Sequence, residues 1–164
     1  MPNHLSNVDH SGFKVNQITI VVLSLVAFIL NLWWLAGIVT LFMIVGTVFG
    51  FPGFGFLYRL ILKPNGLVKP YVVADNPQPH RFAQGFGAVV LLAGTLAWYF
   101  GAILLGWVLV WLVVALAALN AFGGFCVGCF VYYQLGRLGI PGFSRPAPAG
   151  TLPGMRPKIS ATTK

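Results

Sequence analysis

Long apolar runs separated by short polar stretches dominate the chain. No charged residue occurs between Lys14 and Arg59, or between Arg81 and Arg137. Each run is about twice the ~20 residues that cross a bilayer as one helix, so each predicts a hairpin of two transmembrane helices. The first bends near Asn31, giving helices over roughly 15–30 and 32–50. The second turns between Gly101 and Gly106, giving helices over roughly 82–100 and from 104 to the Gly123-Gly124 pair or beyond. The residues after the first run, NLWWLAGIVT, lead directly into more apolar sequence, so that run reads as an uncleaved span and not a signal peptide.

The polar stretches orient these helices. Lys14 precedes the first, and Arg59, Lys63, Lys69 and Arg81 separate the second from the third. Arg137, Arg145, Arg156, Lys158 and Lys164 follow the fourth, and the hairpin tips carry no charge. Four spans put all ten basic residues on one side, which the positive-inside rule makes cytoplasmic. The tryptophans Trp33, Trp34, Trp98, Trp107 and Trp111 gather near the uncharged tips. Tyr58, Tyr71, Tyr132 and Tyr133 gather at the charged end, so both interfacial belts are marked. The expected fold is an all-α integral membrane protein of four transmembrane helices in two hairpins, with both termini cytoplasmic.

Three segments flank or interrupt this unit. Residues 1–14 are polar and expected to be loose. Residues 15–135 form the transmembrane domain, with a loop over 51–80 in which FGFLYRLIL reads as a short interfacial helix and VVADNPQPH as irregular chain. Residues 136–164 are basic and rich in Pro and Gly without periodicity, and are expected to be disordered.

Composition narrows the function. The chain is 58% hydrophobic and 7% charged with a net charge of +8. Because the positive charges flank apolar runs, anionic lipid headgroups are the expected partner and nucleic acid is not. No ionisable side chain lies inside a predicted span, which argues against ion pumps and proton relays. Ser24, Asn31, Thr40, Thr47, Gln84, Thr95 and Asn120 are the polar residues available for hydrogen bonds between helices. His4, His10 and His80 lie outside the spans, which leaves no buried histidine for haem or chlorophyll, and no cofactor is expected.

The one motif with chemistry is FGGFCVGCFVYY. It holds the only cysteines, Cys126 and Cys129, and Phe130 follows them where a c-type haem attachment would have histidine. With four spans the pair lies at the inner end of the fourth helix, in a reducing compartment where a purely structural disulfide is disfavoured. A C-terminal helix end disfavours thiolate. Two arrangements relieve this: Gly123-Gly124 breaks the helix so that Phe125 starts a new helical piece, or a cation sits nearby. Arg81 and His80 open the antiparallel third helix at the same depth, so Arg81 is the candidate thiolate partner and Asp75 the group that orients Arg81 or His80. The candidate catalytic set is Cys126, Cys129, Arg81 and Asp75. Against it stand plainer roles: small apolar packing residues for the cysteines, lipid-phosphate contact for Arg81, and a turn or cap for Asp75. A zinc site, which wants four ligands, has Cys126, Cys129, His80 and Asp75 as its only compact candidates and is not adopted.

NVDHSGFKVNQ before the first helix, DNPQPHRFAQGFG opening the third and GGFCVGC ending the fourth occur in that order and spacing. Together they resemble a bacterial family of small four-helix membrane proteins known only as a domain of unknown function, over roughly residues 8–135. Asp9, Asn16, Gln17, Asp75, Arg81, Phe82, Gln84, Gly124, Cys126, Gly128 and Cys129 look like its hallmarks. The resemblance implies a bacterial plasma membrane and supplies no reaction. Two expectations follow. The first is an inner-membrane protein whose cytoplasmic-face dithiol exchanges electrons or sulfur with a partner thiol protein or with quinone-level chemistry. The second is a non-catalytic accessory subunit of a larger respiratory or photosynthetic complex.

Overall fold

The computed structural model describes residues 6–143, 147 and 150–157. The elements run in the order β1 (Ser6–Asp9), α1 (His10–Ile29), α2 (Trp33–Phe49), a helical turn α3 (Gly55–Leu57) continuing as a π-helical stretch (Tyr58–Leu62), β2 (Val72–Asp75), α4 (Pro77–Tyr99), α5 (Ile103–Gly123) and α6 (Val127–Arg137). Both hairpins are present. Asn31, in the left-handed region at φ 52°, turns the first, and Gly101 turns the second.

Three helices are long and apolar enough to cross a membrane: α1, α4 and α5. The fourth, α2, is equally apolar but has 17 residues, about 26 Å at ~1.5 Å per residue. α4 packs between α2 and α5, and α1 packs on α5 and α2. Ala27, Val39 and Leu91 are completely buried at the centre, with Ile20, Met43, Val110 and Val113 around them. The outward faces are also apolar: Leu41, Val48, Val89, Leu104 and Leu112 are exposed. Such a surface is an aggregation liability in water and suits acyl chains.

The polar end is more ordered than composition suggests. β1 and β2 pair antiparallel, Ser6 opposite Asp75 and Asp9 opposite Val72. Residues 6–14, expected to be loose, therefore form a strand and the first turn of α1. Asp9 caps α1 by accepting from the Ser11 amide at 3.0 Å, and also accepts from the Tyr58 hydroxyl at 2.7 Å and the Tyr71 amide at 3.2 Å. Burial, then the hydrogen bond and negative charge of Asp9, push the Tyr58 phenol up to about 12, against a smaller lowering from Ser11. Asn16 Oδ1 accepts from the Phe54 amide at 2.8 Å, fixing the loop after α2 onto α1.

The polar residues of the helices mostly bond within their own helix. Thr40, Thr47 and Thr95 each donate to the carbonyl four residues back, at 2.8–2.9 Å. That habit satisfies a buried hydroxyl without a neighbouring helix. Gln84 does cross between helices, donating from α4 to the Met43 carbonyl of α2 at 3.1 Å.

The tail also departs from expectation. Residues 150–157 fold back over the start of α6, with Met155 bridged to Phe125. The Cys126 amide donates to the Gly154 carbonyl at 2.7 Å, and the Arg156 amide to the Gly124 carbonyl at 2.9 Å. Arg145, Lys158 and Lys164 lie outside the described residues, as does His4.

Candidate functional site

Gly124 ends α5 in the left-handed conformation at φ 66°. The chain then turns through Phe125 and re-enters a helix, α6, with Cys126 as its N-cap. The glycine pair therefore breaks the helix, and the cysteines belong to the N-terminal turn of a new one. Cys126 Sγ accepts from the Cys129 amide at 3.1 Å, as a capping oxygen would. The thiol-bearing end thus carries the positive end of a helix dipole, which favours thiolate. Cys126 and Cys129 are joined as a disulfide across a Cα separation of 5.2 Å. Both are buried. Gly128, between them, lies so close to α4 that a Cβ would collide with Ala83. This contact seats the motif against the start of α4.

That start of α4 brings His80, and the end of β2 just before it brings Asp75. His80 Nδ1 lies 3.6 Å from Cys129 Sγ, and His80 Nε2 lies 3.0 Å from Asp75 Oδ2. Phe13 of α1 stacks on the imidazole at 4.8 Å between ring centroids and holds its plane. His10 Nε2 lies 2.9 Å from the same carboxylate oxygen, although it is not aligned as a hydrogen bond. The other oxygen, Oδ1, accepts from the Asn76 amide at 2.7 Å. Burial pushes the Asp75 carboxyl up. The contacts with His10 and His80, the charge of His80 and the Asn76 amide outweigh it and hold the group well below the usual carboxylate range. Asp75 is an ionised anchor between two histidines, not only a turn residue.

Arg81 is elsewhere. Its Nε donates to the Thr47 carbonyl at 2.6 Å and its Nη2 to the Val48 carbonyl at 2.9 Å. It closes the C-terminal turn of α2, where a cation meets the negative end of the dipole. Consecutive residues on a helix point about 100° apart, so with His80 facing the sulfurs Arg81 cannot. The candidate set is therefore brought together in three of its four members, with His80 in the position foreseen for arginine. Arg81→Gln is expected to lower thermal stability by about 1 kcal/mol, since exposed charge-assisted bonds are weak. The pH dependence of thiol alkylation in the reduced protein should not move; both quantities are measurable in detergent.

Sequence reasoning missed two further parts. His10 reaches Asp75 because β1 pairs with β2, a long-range register that no local pattern announces. Arg156 and Met155 come from the tail, and with Tyr133, Gln17, Asn120 and both cysteines they line a small cavity of about 20 Å³. Arg156 Nη2 donates to the Asn120 carbonyl at 3.1 Å. Burial, then the charge of Asp75 and Tyr132, push the Tyr133 phenol up to about 12, so it stays a neutral hydroxyl. A second, larger cavity of about 90 Å³ runs from Cys126 and His80 between α1, α2, α4 and α5, lined by Asn16, Gln17, Gln84 and Asn120 at its polar end.

The close seating of the tail strap depends on one glycine. Gly154 has φ 85°, and a Cβ there would lie 2.9 Å from Phe130 Cβ and 3.0 Å from the Cys126 carbonyl oxygen. Gly154→Val is expected to lift the strap and speed disulfide reduction by a water-soluble phosphine by about tenfold or more, the factor that ~1.4 kcal/mol of lost closure gives. Mass-tagged alkylation of quenched samples reads this directly.

Residues 8–137 match the family model described as a domain of unknown function, DUF4395. No curated protein and no solved structure matches the chain. The matched region runs from β1 to the last residue of α6 and contains His10, Asp75, His80 and both cysteines, so this chain belongs to the DUF4395 family.

Proposed function

We propose that the protein is a thiol–disulfide exchange protein of a bacterial plasma membrane, its Cys126–Cys129 pair cycling between disulfide and dithiol at the cytoplasmic boundary. In this reading α1, α2, α4 and α5 all cross the bilayer and both termini are cytoplasmic. The basic residues support it: Arg59, Lys63 and Lys69 lie on the segment between α2 and α4, Arg137 ends α6 and Arg156 is on the tail that folds over the cysteines. The observation that carries the proposal is the linked row Asp75–His80–Cys129, at 3.0 and 3.6 Å, beside a C-x-x-C pair capping a helix N-terminus.

The step is an ordinary exchange. A thiolate of a partner dithiol attacks Cys126 Sγ, forming a mixed disulfide and breaking the Cys126–Cys129 bond. Cys129 leaves with the electron pair and takes a proton that His80 relays from solvent through Nδ1, after which Nδ1 is again a lone pair and Asp75 holds the imidazole at Nε2. The partner's second thiolate attacks its own sulfur in the mixed disulfide and releases Cys126 as thiolate, stabilised by the α6 dipole and the Cys129 amide. Two electrons pass from the partner to this protein, and the partner leaves as its disulfide. Run backwards, the same steps oxidise Cys126 and Cys129. In the sulfur-transfer variant the Cys126 thiolate of the reduced pair attacks the outer sulfur of a partner persulfide, becoming a persulfide itself as the partner leaves as thiolate.

The test uses membrane vesicles of known sidedness. After reduction, a membrane-impermeant maleimide should add two tags per chain in inverted vesicles and none in intact cells. An oxidised dithiol protein of higher potential, about −120 mV, added to the reduced protein before the maleimide, should leave both cysteines untagged. Tagging from outside intact cells, or a pair that no dithiol protein reoxidises, defeats the proposal.

A second reading, the accessory subunit, is favoured by the burial of both sulfurs beneath the strap. It requires stoichiometric recovery with a larger membrane complex and cysteines inert to maleimide after reduction.

A further inference from the structure

The same residues form a second kind of site once the disulfide is open. We propose that the reduced protein binds one Zn²⁺ ion through Cys126 Sγ, Cys129 Sγ and His80 Nδ1, with water in the fourth position. The three ligand atoms already lie within 4.8 Å of one another and the residues are enclosed. Zinc takes thiolate and imidazole together, and three protein ligands plus water is an arrangement it adopts. The contact between Asp75 Oδ2 and His80 Nε2 places that proton on Nε2, which leaves the Nδ1 lone pair facing the sulfurs. A carboxylate behind a ligating histidine is the usual support of a zinc ligand. Asp75 therefore stands behind the ligand set and is not a member of it.

Two further observations favour an ion here. The cavity of about 20 Å³ against both cysteines and His80 is the size of one water. Gln17, which lines it, has its Oε1 buried and without a hydrogen-bond partner among the described residues. That oxygen would accept from a metal-bound water. The charge also balances, because two thiolates cancel Zn²⁺ and leave a neutral unit in an enclosed pocket.

Loading proceeds in two balanced steps. A dithiol reductant gives two electrons and two protons to Cys126–Cys129 and leaves as its own disulfide. Zn²⁺ then displaces both thiol protons to solvent. The bound ion holds the sulfurs as thiolates and prevents their re-oxidation, so zinc supply would set how much dithiol is available. This inference needs only that the pair can be reduced. Zinc binding without exchange, and exchange without zinc binding, are separate and recognisable outcomes.

The full chain, purified in detergent and reduced with a phosphine, is titrated with Zn²⁺ against a chromophoric chelator and with Co²⁺ by absorption. The expected result is one Zn²⁺ per chain, and a Co²⁺ spectrum with thiolate charge-transfer and tetrahedral bands. Cys126→Ser should abolish both. Asp75→Asn should keep the stoichiometry and weaken affinity by about 10–100-fold. His80→Cys, which replaces one ligand by another, should keep zinc and strengthen the charge-transfer band; this separates ligand loss from misfolding. A reduced protein that takes up no Zn²⁺ at micromolar free metal, or Cys126→Ser binding it as tightly as the wild type, overturns the proposal.

Discussion

His80→Asn is expected to slow reduction of the Cys126–Cys129 disulfide by an external dithiol by about 10²–10⁴-fold, the usual contribution of a positioned general acid. The disulfide itself should still form, because the 5.2 Å Cα separation is set by α6 and not by the imidazole. Quenching with acid and tagging the thiols gives both rates. An unchanged rate would reduce His80 to a packing residue stacked on Phe13.

Asp75→Asn is expected to be the most destabilising single change at this end of the molecule. It leaves His10 and His80 facing a neutral amide in a buried site and removes a carboxylate that accepts from the Asn76 amide. Charge-assisted hydrogen bonds contribute about 1.5–3 kcal/mol each, so a loss of about 3 kcal/mol is expected. The pH dependence follows from the depressed carboxyl. A group whose folded pKa lies below its unfolded value stabilises the fold above the unfolded pKa, near 3.8 for Asp75. That stability drains away as pH falls through and below this value. Thermal unfolding of the wild type in detergent should therefore weaken progressively below about pH 4. The variant should be less stable at neutral pH and lack this portion of the acid slope.

The helices were legible because bilayer length and charge placement act locally on the sequence. Both hairpins fall where the uncharged runs put them, and Asn31 turns the first. The break at Gly123-Gly124 was one of two open arrangements, and the left-handed Gly124 decides for it. What escaped depends on contacts between distant segments. The pairing of residues 6–9 with 72–75 converts a polar leader into a strand and delivers His10 to Asp75. The strap over 150–157 comes from a tail whose composition reads as disorder, yet Gly154 and Arg156 find backbone partners on the α5–α6 turn. Arg81 and His80 are neighbours in the first turn of α4, and only His80 reaches the sulfurs. Choosing between them required the rotational phase of α4, which a charge-free run of nearly uniform hydropathy does not specify. The threonines fell to a similar ambiguity, since a hydroxyl in an apolar helix bonds its own helix as readily as a neighbour.

A redox titration of the Cys126–Cys129 pair tests the central claim most directly. The protein, in detergent or nanodiscs, is equilibrated in defined dithiol–disulfide buffers and the thiols are counted by mass tagging. Both cysteines should titrate together as a two-electron couple, about 30 mV per tenfold change in the equilibrium constant, with a midpoint between about −120 and −270 mV where exchange proteins work. A midpoint below about −300 mV, the range of structural disulfides, would contradict the account.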